Sequence, residues 1–279
     1  MRVANSDPLF LAQGLSKRYG ANAVLDDVGF TIGRNRVVSF VGENGAGKST
    51  LLNILSGIVA ADSGRMWLNG VAFHPPDYGV SSRLGVTRVF QEQALVLNVP
   101  VYENLLLGHE RRFDRFGQFV DKGAMIAVAE GIVEEAGIDV DVRRRTGSYD
   151  FSKRQSIEIA RACLVPSRLL GIVSPLILLD EPTSALDQRD EEAFFRLVER
   201  LKARGSLVFV SHRMSEVLTL SDEIHVLKDG RLVATLDGNA ADEAMLHELM
   251  VGRERVADYY HEGRQRTIET KTPGVLIGL

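Results

Sequence analysis

The eight residues Gly42-Glu43-Asn44-Gly45-Ala46-Gly47-Lys48-Ser49 constrain this chain more than any other stretch. They fit the pattern G-x-x-x-x-G-K-[ST], a loop whose glycines let successive backbone N–H groups turn toward phosphate oxygens. The apolar run Val37-Val38-Ser39-Phe40-Val41 precedes the loop and is short enough for a buried strand. Thr50-Leu51-Leu52-Asn53-Ile54-Leu55 follows it and reads as the first turns of a helix. Strand, glycine loop and helix form the context such a loop requires, because the helix N-terminus adds its positive dipole end. Lys48 is then expected to reach the β- and γ-phosphates of a nucleoside triphosphate, and Ser49 to ligate Mg²⁺. The competing reading is a glycine-rich turn that merely caps a helix, and the flanking strand and helix count against it.

Composition narrows the field further. A chain of 279 residues, 45% hydrophobic and 25% charged, can bury a sizeable core as one large α/β domain or a core plus a subdomain. A net charge of −4 leaves no basic footprint for nucleic acid, so no nucleic-acid partner is expected. The single cysteine, Cys163, excludes a disulfide framework and fits a reducing cytosol. No apolar run approaches the roughly 20 residues of a membrane span, and Met1 to Pro8 lacks the apolar stretch of a secretion signal. Work at a membrane would therefore pass through a partner.

Along the chain, Leu9 to Ala12 reads as a first strand, and Ser63 to Gly70 as a strand ending in an Asn-Gly hairpin turn. Val86 to Phe90 reads as another strand, ending at Gln91. From about 99 to 168 strand signals give way to helical periodicity, clearest over Met125 to Ala136, which predicts an inserted helical subdomain. Its basic clusters, Arg111-Arg112 and Arg143-Arg144-Arg145, read as solvated surface. Leu176 to Leu179 and Leu207 to Val210 are further strands separated by an amphipathic helix from Asp190 to Arg204. Glu223 to Leu227 turns at Asp229-Gly230 into Arg231 to Leu236, and Met245 to Met250 is helical. Alternating strands and helices imply a mostly parallel sheet covered on both faces.

Polar residues stand at three strand ends. Asp180 and Glu181 close an apolar strand, where one carboxylate can hold a nucleotide's Mg²⁺ through water and the next can polarise an attacking water. Surface acids closing a strand are the plainer alternative. His212 and Gln91 each follow a strand, at the edge where open α/β sheets bind ligands. Taken singly, each is equally a loop residue.

The ordered set resembles the ATP-binding cassette family, the ATPase subunits of ABC transporters. The resemblance runs from about Leu9 to Arg253. It identifies Gly42 to Ser49, with Thr50, as the Walker A motif, in which Gly42, Asn44, Gly45, Ala46, Gly47, Lys48, Ser49 and Thr50 would contact nucleotide. It makes Tyr19 an aromatic ring stacked on adenine, Gln91 the Q-loop glutamine and a metal ligand with Ser49 and Asp180. It further makes Glu181 the catalytic glutamate, Ser184-Ala185-Leu186-Asp187 the D-loop and His212 the switch histidine. Asn53 to Gly57, Asp180 to Leu186, Ser211-His212-Arg213 and Met250 to Arg253 are most similar to monosaccharide importers of the ribose, xylose and galactose type. In that branch the ATPase usually carries two cassettes in one polypeptide.

One motif departs from the family pattern. Anchored on Glu158-Ile159-Ala160-Arg161-Ala162, the Leu-Ser-Gly-Gly-Gln signature corresponds to a stretch containing Asp150-Phe151-Ser152-Lys153. Asp150 stands where the family serine would donate to a γ-phosphate across a dimer, and an ionised carboxylate cannot donate. Ser152 stands in place of a glycine. A purely structural alternative is that Asp150 or Ser152 caps the helix expected to run to Leu164. The resemblance implies that this chain's Lys48, Ser49, Gln91, Asp180, Glu181 and His212 form a competent site with the intact signature of a second cassette. Pro273 to Leu279 resembles Pro8 to Leu15, as expected if a second cassette opens there.

The expectations are an α/β fold with an ABC-type P-loop core, mostly parallel sheet, small antiparallel β-subdomain and inserted helical subdomain. The cassette would span 1–252, followed by a linker or tail at 253–279. The chain would bind ATP and Mg²⁺ and power import of a monosaccharide or polyol from the cytoplasmic face of the membrane. Its partners would be transmembrane permease subunits, a second cassette and, indirectly, an extracytoplasmic substrate-binding protein. A soluble ABC ATPase and a regulatory nucleotide-binding module are the rival readings. The run Leu164 to Pro175, several residues longer than the usual family connection, has no functional account at this level.

Overall fold

The protein is described from a computed structural model, which covers residues 8–90, 93–115, 119–183, 186 and 188–251. In chain order, β1 (Phe10–Tyr19) and β2 (Asn22–Ile32) form an antiparallel hairpin. β3 (Val37–Val41) leads through the glycine loop into α1 (Lys48–Leu55). β4 (Ser63–Leu68) and β5 (Val71–Ala72) follow, then α2 (Tyr78–Leu84) and β6 (Val86–Val89). The helical section holds α3 (Val101–Leu105), a short hairpin of β7 (Asp114–Arg115) and β8 (Phe119–Val120), α4 (Lys122–Ala136) and α5 (Phe151–Leu170). Return to the core brings β9 (Leu176–Asp180), α6 (Gln188–Lys202), β10 (Ser206–Val210) and α7 (Met214–Leu220). The hairpin of β11 (Glu223–Lys228) and β12 (Arg231–Asp237) and then α8 (Glu243–Val251) complete the described chain.

The main sheet has the order β12-β11-β3-β10-β9-β6, with β11, β3, β10, β9 and β6 parallel and β12 antiparallel at one edge. Alternate residues of its central strands enter two separate cores. Val37, Ile177, Leu179, Leu207 and Phe209 pack with α4, α5 and α6 on one face. Val38, Phe40, Leu176, Leu178, Val208 and Val210 pack on the other, against α1 and the second sheet. A strand buried on both faces needs an unbroken apolar run, which is why these segments lack polar alternation. The second sheet, β2-β1-β4-β5, is antiparallel. Its β4–β5 turn is Asn69-Gly70, both at positive φ (53° and 76°), the conformation that an Asn-Gly hairpin supplies.

Two expectations change in extent. The first strand reaches Tyr19, and β2 was not foreseen. Polar Asp26-Asp27 and Gly29 break the visible alternation of its buried Leu25, Val28, Phe30 and Ile32, and register shifts against β1 add to this.

The helix after Asp150 does not stop at Leu164 but continues through Pro166 to Leu170, ending at Gly171 in the left-handed conformation (φ 69°). The first half of the unexplained connection is therefore helix. Pro166 cannot donate to the carbonyl four residues earlier. That carbonyl, on Ala162, instead accepts a 2.8 Å hydrogen bond from the Thr87 hydroxyl of β6. The extension is tied down by the Arg112 guanidinium donating to the Leu169 carbonyl at 2.6 Å and by the Arg168–Glu135 ion pair, which Arg204 joins. Arg112, read as solvated surface, thus holds this extension. Thr87→Val should leave the Ala162 carbonyl buried and unpaired, costing about 1–3 kcal/mol. Urea unfolding of the variant checks this, and an unchanged midpoint would contradict it.

Candidate functional site

Every parallel strand ends at the same edge of the main sheet, and the site grows from those ends. From β3 the chain enters the glycine loop. A side chain at Gly42 would press into the Leu227 carbonyl of β11, so this glycine is required for close packing as well as for any ligand. Gly47 lies at φ 104°, and a Cβ there would sit 2.7 Å from the Val24 carbonyl. Gly45, at φ 88°, faces open space. Glu43, Asn44, Gly45 and Ser49 are exposed, Thr50 is half-buried, and Ala46 is buried. The Lys48 ammonium folds back over the loop, donating to the carbonyls of Gly42 at 2.7 Å and Glu43 at 3.0 Å. Burial holds Lys48 below the ordinary lysine value, with the carboxylates of Glu181 and Asp180 opposing that shift. Tyr19 ends β1 with its ring half exposed and Lys17 Nζ 5.7 Å from its centroid.

From β9 come Asp180 and Glu181. Asp180 is buried, and its Oδ2 accepts a 2.7 Å hydrogen bond from Arg88 Nη2 of β6. Glu181 sits at φ 48°, a left-handed conformation that a residue with a Cβ adopts at a cost of order 1–3 kcal/mol. Its N–H donates to the Val210 carbonyl at 2.8 Å, which keeps the turn anchored to β10. The carboxylate is thereby directed back across the sheet edge, with Oε2 3.3 Å from His212 Nδ1. The His212 side chain is 63% exposed, open to whatever binds there.

Sequence reasoning missed the support beneath these groups. Glu216 on α7 is buried and accepts hydrogen bonds from Thr183 Oγ1 (2.7 Å), Ser211 Oγ (2.8 Å) and Arg213 Nη1 (3.0 Å). One carboxylate thus joins the segment after Glu181 to the segment holding His212. A glutamate early in a short helix gave no signal of this. Arg88, inside a buried strand, was visible in the sequence only as an arginine where an aliphatic residue belongs.

The signature stretch is resolved in structural terms. Asp150 is the N-cap of α5, its carboxylate accepting from the Lys153 N–H at 2.8 Å. Ser152 donates to Asp190 Oδ2 of α6, and Lys153 Nζ donates to the Asp139 carbonyl at 3.0 Å. Phe151 is exposed, with its carbonyl accepting from Gln93 Nε2 at 3.0 Å. Leu186 is buried, its N–H bonded to the Thr183 carbonyl at 3.1 Å. Gln91, Ser184, Ala185 and Asp187 lie outside the described residues, as does the tail from 252 to 279.

The residues fit a divalent cation by the chemistry of their donors. The Asp180 carboxylate and Ser49 hydroxyl are hard oxygen ligands of the kind Mg²⁺ selects. A stand-in cation, the Arg88 guanidinium, already rests on Asp180. Among the described residues no group of three or more His, Cys, Asp or Glu could hold a metal by itself, so oxygens from a ligand would complete the sphere. No helix there is long and apolar enough to cross a membrane.

Comparison with known proteins bears on the family and the fold. The profile of the ABC transporter family matches residues 25–184. A ribose import ATP-binding protein of Rubrobacter xylanophilus is 39% identical over 247 residues, covering 88% of this chain and 47% of that protein. An arabinose import ATP-binding protein of Rhizobium meliloti is 38% identical over 244 residues, covering 87% of this chain and 46% of that protein. The chain therefore spans just under half the length of these relatives. A crystal structure of an ATP-binding cassette of an ABC transporter in its ADP conformation superposes with a TM-score of 0.72 at 23% identity, over 92% of this chain and 100% of that one. The fold is that of an ABC ATPase cassette, and this chain belongs to the ABC transporter family.

Proposed function

We propose that this chain is an ATP-binding and hydrolysing cassette that powers uptake of a monosaccharide through partner membrane subunits. The observation that carries the reading is the meeting, at one sheet edge, of the Lys48 loop with Asp180, Glu181 and His212. Its sugar class is supported by relatives named for ribose and for arabinose import.

ATP supplies the transferable γ-phosphoryl group, and Mg²⁺ supplies charge that offsets its oxygens. Lys48 exchanges its two loop carbonyls for the β- and γ-phosphates. Backbone N–H groups of the loop from Asn44 to Ser49 would surround the same oxygens, and Tyr19 would offer a ring face to adenine. Ser49 and Asp180 would hold the metal, with Gln91 as a further ligand. The Glu181 carboxylate orients and polarises a water. His212, 3.3 Å away, fixes that carboxylate and faces the charge that develops on the phosphoryl oxygens.

Asp150 makes a second cassette necessary in this reading. Its carboxylate is committed to the α5 N-cap, accepting the Lys153 N–H, and lacks the hydroxyl donor that the family serine provides. A signature from another cassette, in the same polypeptide or on a separate chain, would complete the competent site. The cassette would end near residue 252, lie peripherally on the cytoplasmic face of the membrane, and receive sugar that a binding protein delivers to the permease.

In the complete native protein, Glu181→Gln is expected to lower ATP turnover by roughly 10²-fold or more while nucleotide binding persists. Uptake of labelled pentose should be lost with it. Unchanged turnover would make the chain a regulatory nucleotide binder, and retained uptake would remove the transport reading. Asp150→Ser keeps a good N-cap and restores a hydroxyl donor. Its melting temperature should stay near wild type while turnover rises, whereas Asp150→Ala should lose about 1 kcal/mol of stability. A slower Asp150→Ser enzyme would contradict the assignment of this residue as the weak point of the signature.

A further inference from the structure

We propose that Arg88 is a built-in counterion of Asp180 that suppresses metal binding until nucleotide arrives. This inference rests on the proposed role of Asp180 at the metal site. Arg88 lies in the middle of β6, where Val86, Thr87 and Val89 are buried with it and the strand pairs in parallel with β9. Its side chain is only 5% exposed and that of Asp180 only 8%. Such a position in a two-sided parallel sheet suits an aliphatic residue. A buried ion pair is commonly no more stabilising there than well-packed apolar side chains. The guanidinium also leaves Nε buried without a hydrogen-bond partner among the described residues. Stability therefore gives little reason for arginine at this point.

Placement gives a better one. Nη2 donates to Asp180 Oδ2 at 2.7 Å, and Nη1 donates to Asn53 Oδ1 at 2.6 Å on α1, the helix that Lys48 opens. The guanidinium also lies 4.9 Å from the Phe90 ring, and the Tyr78 hydroxyl bridges the Arg88 backbone at 3.3 and 3.4 Å. The cation is held rigidly between the helix that begins at Lys48 and the strand-end carboxylate. It has two consequences for an arriving metal. Oδ2 of Asp180 is engaged by the guanidinium, which fixes the carboxylate orientation. A permanent positive charge next to the carboxylate also opposes a divalent cation, so Asp180 alone is a poor metal ligand. Nucleotide phosphates then tip the balance, and the metal enters as the nucleotide complex. Arg88 acts through Asp180 and is a positioning residue.

The test measures Mn²⁺ binding by electron paramagnetic resonance in the complete native protein, without nucleotide and then with a non-hydrolysable ATP analogue. Arg88→Met should bind Mn²⁺ without nucleotide at least about tenfold more tightly than wild type. Adding Asp180→Asn should cancel the gain, and Arg88→Lys, which keeps the charge, should restore weak binding. Equal or weaker Mn²⁺ affinity in Arg88→Met would overturn the proposal. If that variant does not fold, tight nucleotide-free Mn²⁺ binding by wild type that Asp180→Asn abolishes would overturn it just as directly. Asp180→Asn alone separates the two claims. If it leaves the metal dependence of nucleotide binding unchanged, the site reading itself fails. If it weakens that dependence while Arg88→Met has no effect, only the role of Arg88 fails.

Discussion

A parallel sheet covered on both faces leaves polar side chains almost nowhere to act except at its edges. Pairing of β3 with β10 and β11, and of β9 with β10 and β6, brings those strands to a common carboxyl edge. The glycine loop, the Asp180-Glu181 pair and His212 meet there because each follows one of these strands directly. No separate device is needed to gather them. What the fold adds is fine orientation: the left-handed turn at Glu181, the anchor of its N–H to Val210, and the Glu216 carboxylate that joins the two loops. Strain at Glu181 is tolerated because β9 fixes the chain before it and the Thr183–Glu216 hydrogen bond fixes the chain after it.

Two polar side chains of β6 reach specific partners inside the core. Thr87 repairs the hydrogen bond that Pro166 removes from α5. Arg88 faces Asp180 and Asn53. Two neighbours on one short strand thus serve different ends, one sustaining the helical extension and the other setting charge at the site.

Legibility in the sequence followed the range of the interactions involved. The phosphate loop, the strand-end acids and the Asn-Gly turn were readable because their signals are contiguous. The central strands were readable because double-sided burial demands an unbroken apolar run. β2 was hidden by its internal acids and bulged pairing, and the true end of α5 by a proline whose lost bond is repaired from 75 residues away. The roles of Arg88 and Glu216 depend on partners that are distant in the chain or belong to other elements, so no local pattern could assign them. Asp150 illustrates the converse. Its helix-capping role was one of two readings open from local sequence, and the cap itself explains why a carboxylate is accommodated where the family pattern has a hydroxyl.

The central claim is that the loop from Gly42 to Ser49 receives the phosphates of a nucleotide through Lys48. Calorimetric binding of MgATP to the complete native protein, comparing wild type with Lys48→Ala at matched melting temperatures, tests it most directly. Affinity at this cassette should fall at least about tenfold, the loss of one strong charge-assisted contact to phosphate. Equal affinity in a folded variant would mean that the nucleotide does not bind where the loop and the sheet edge converge.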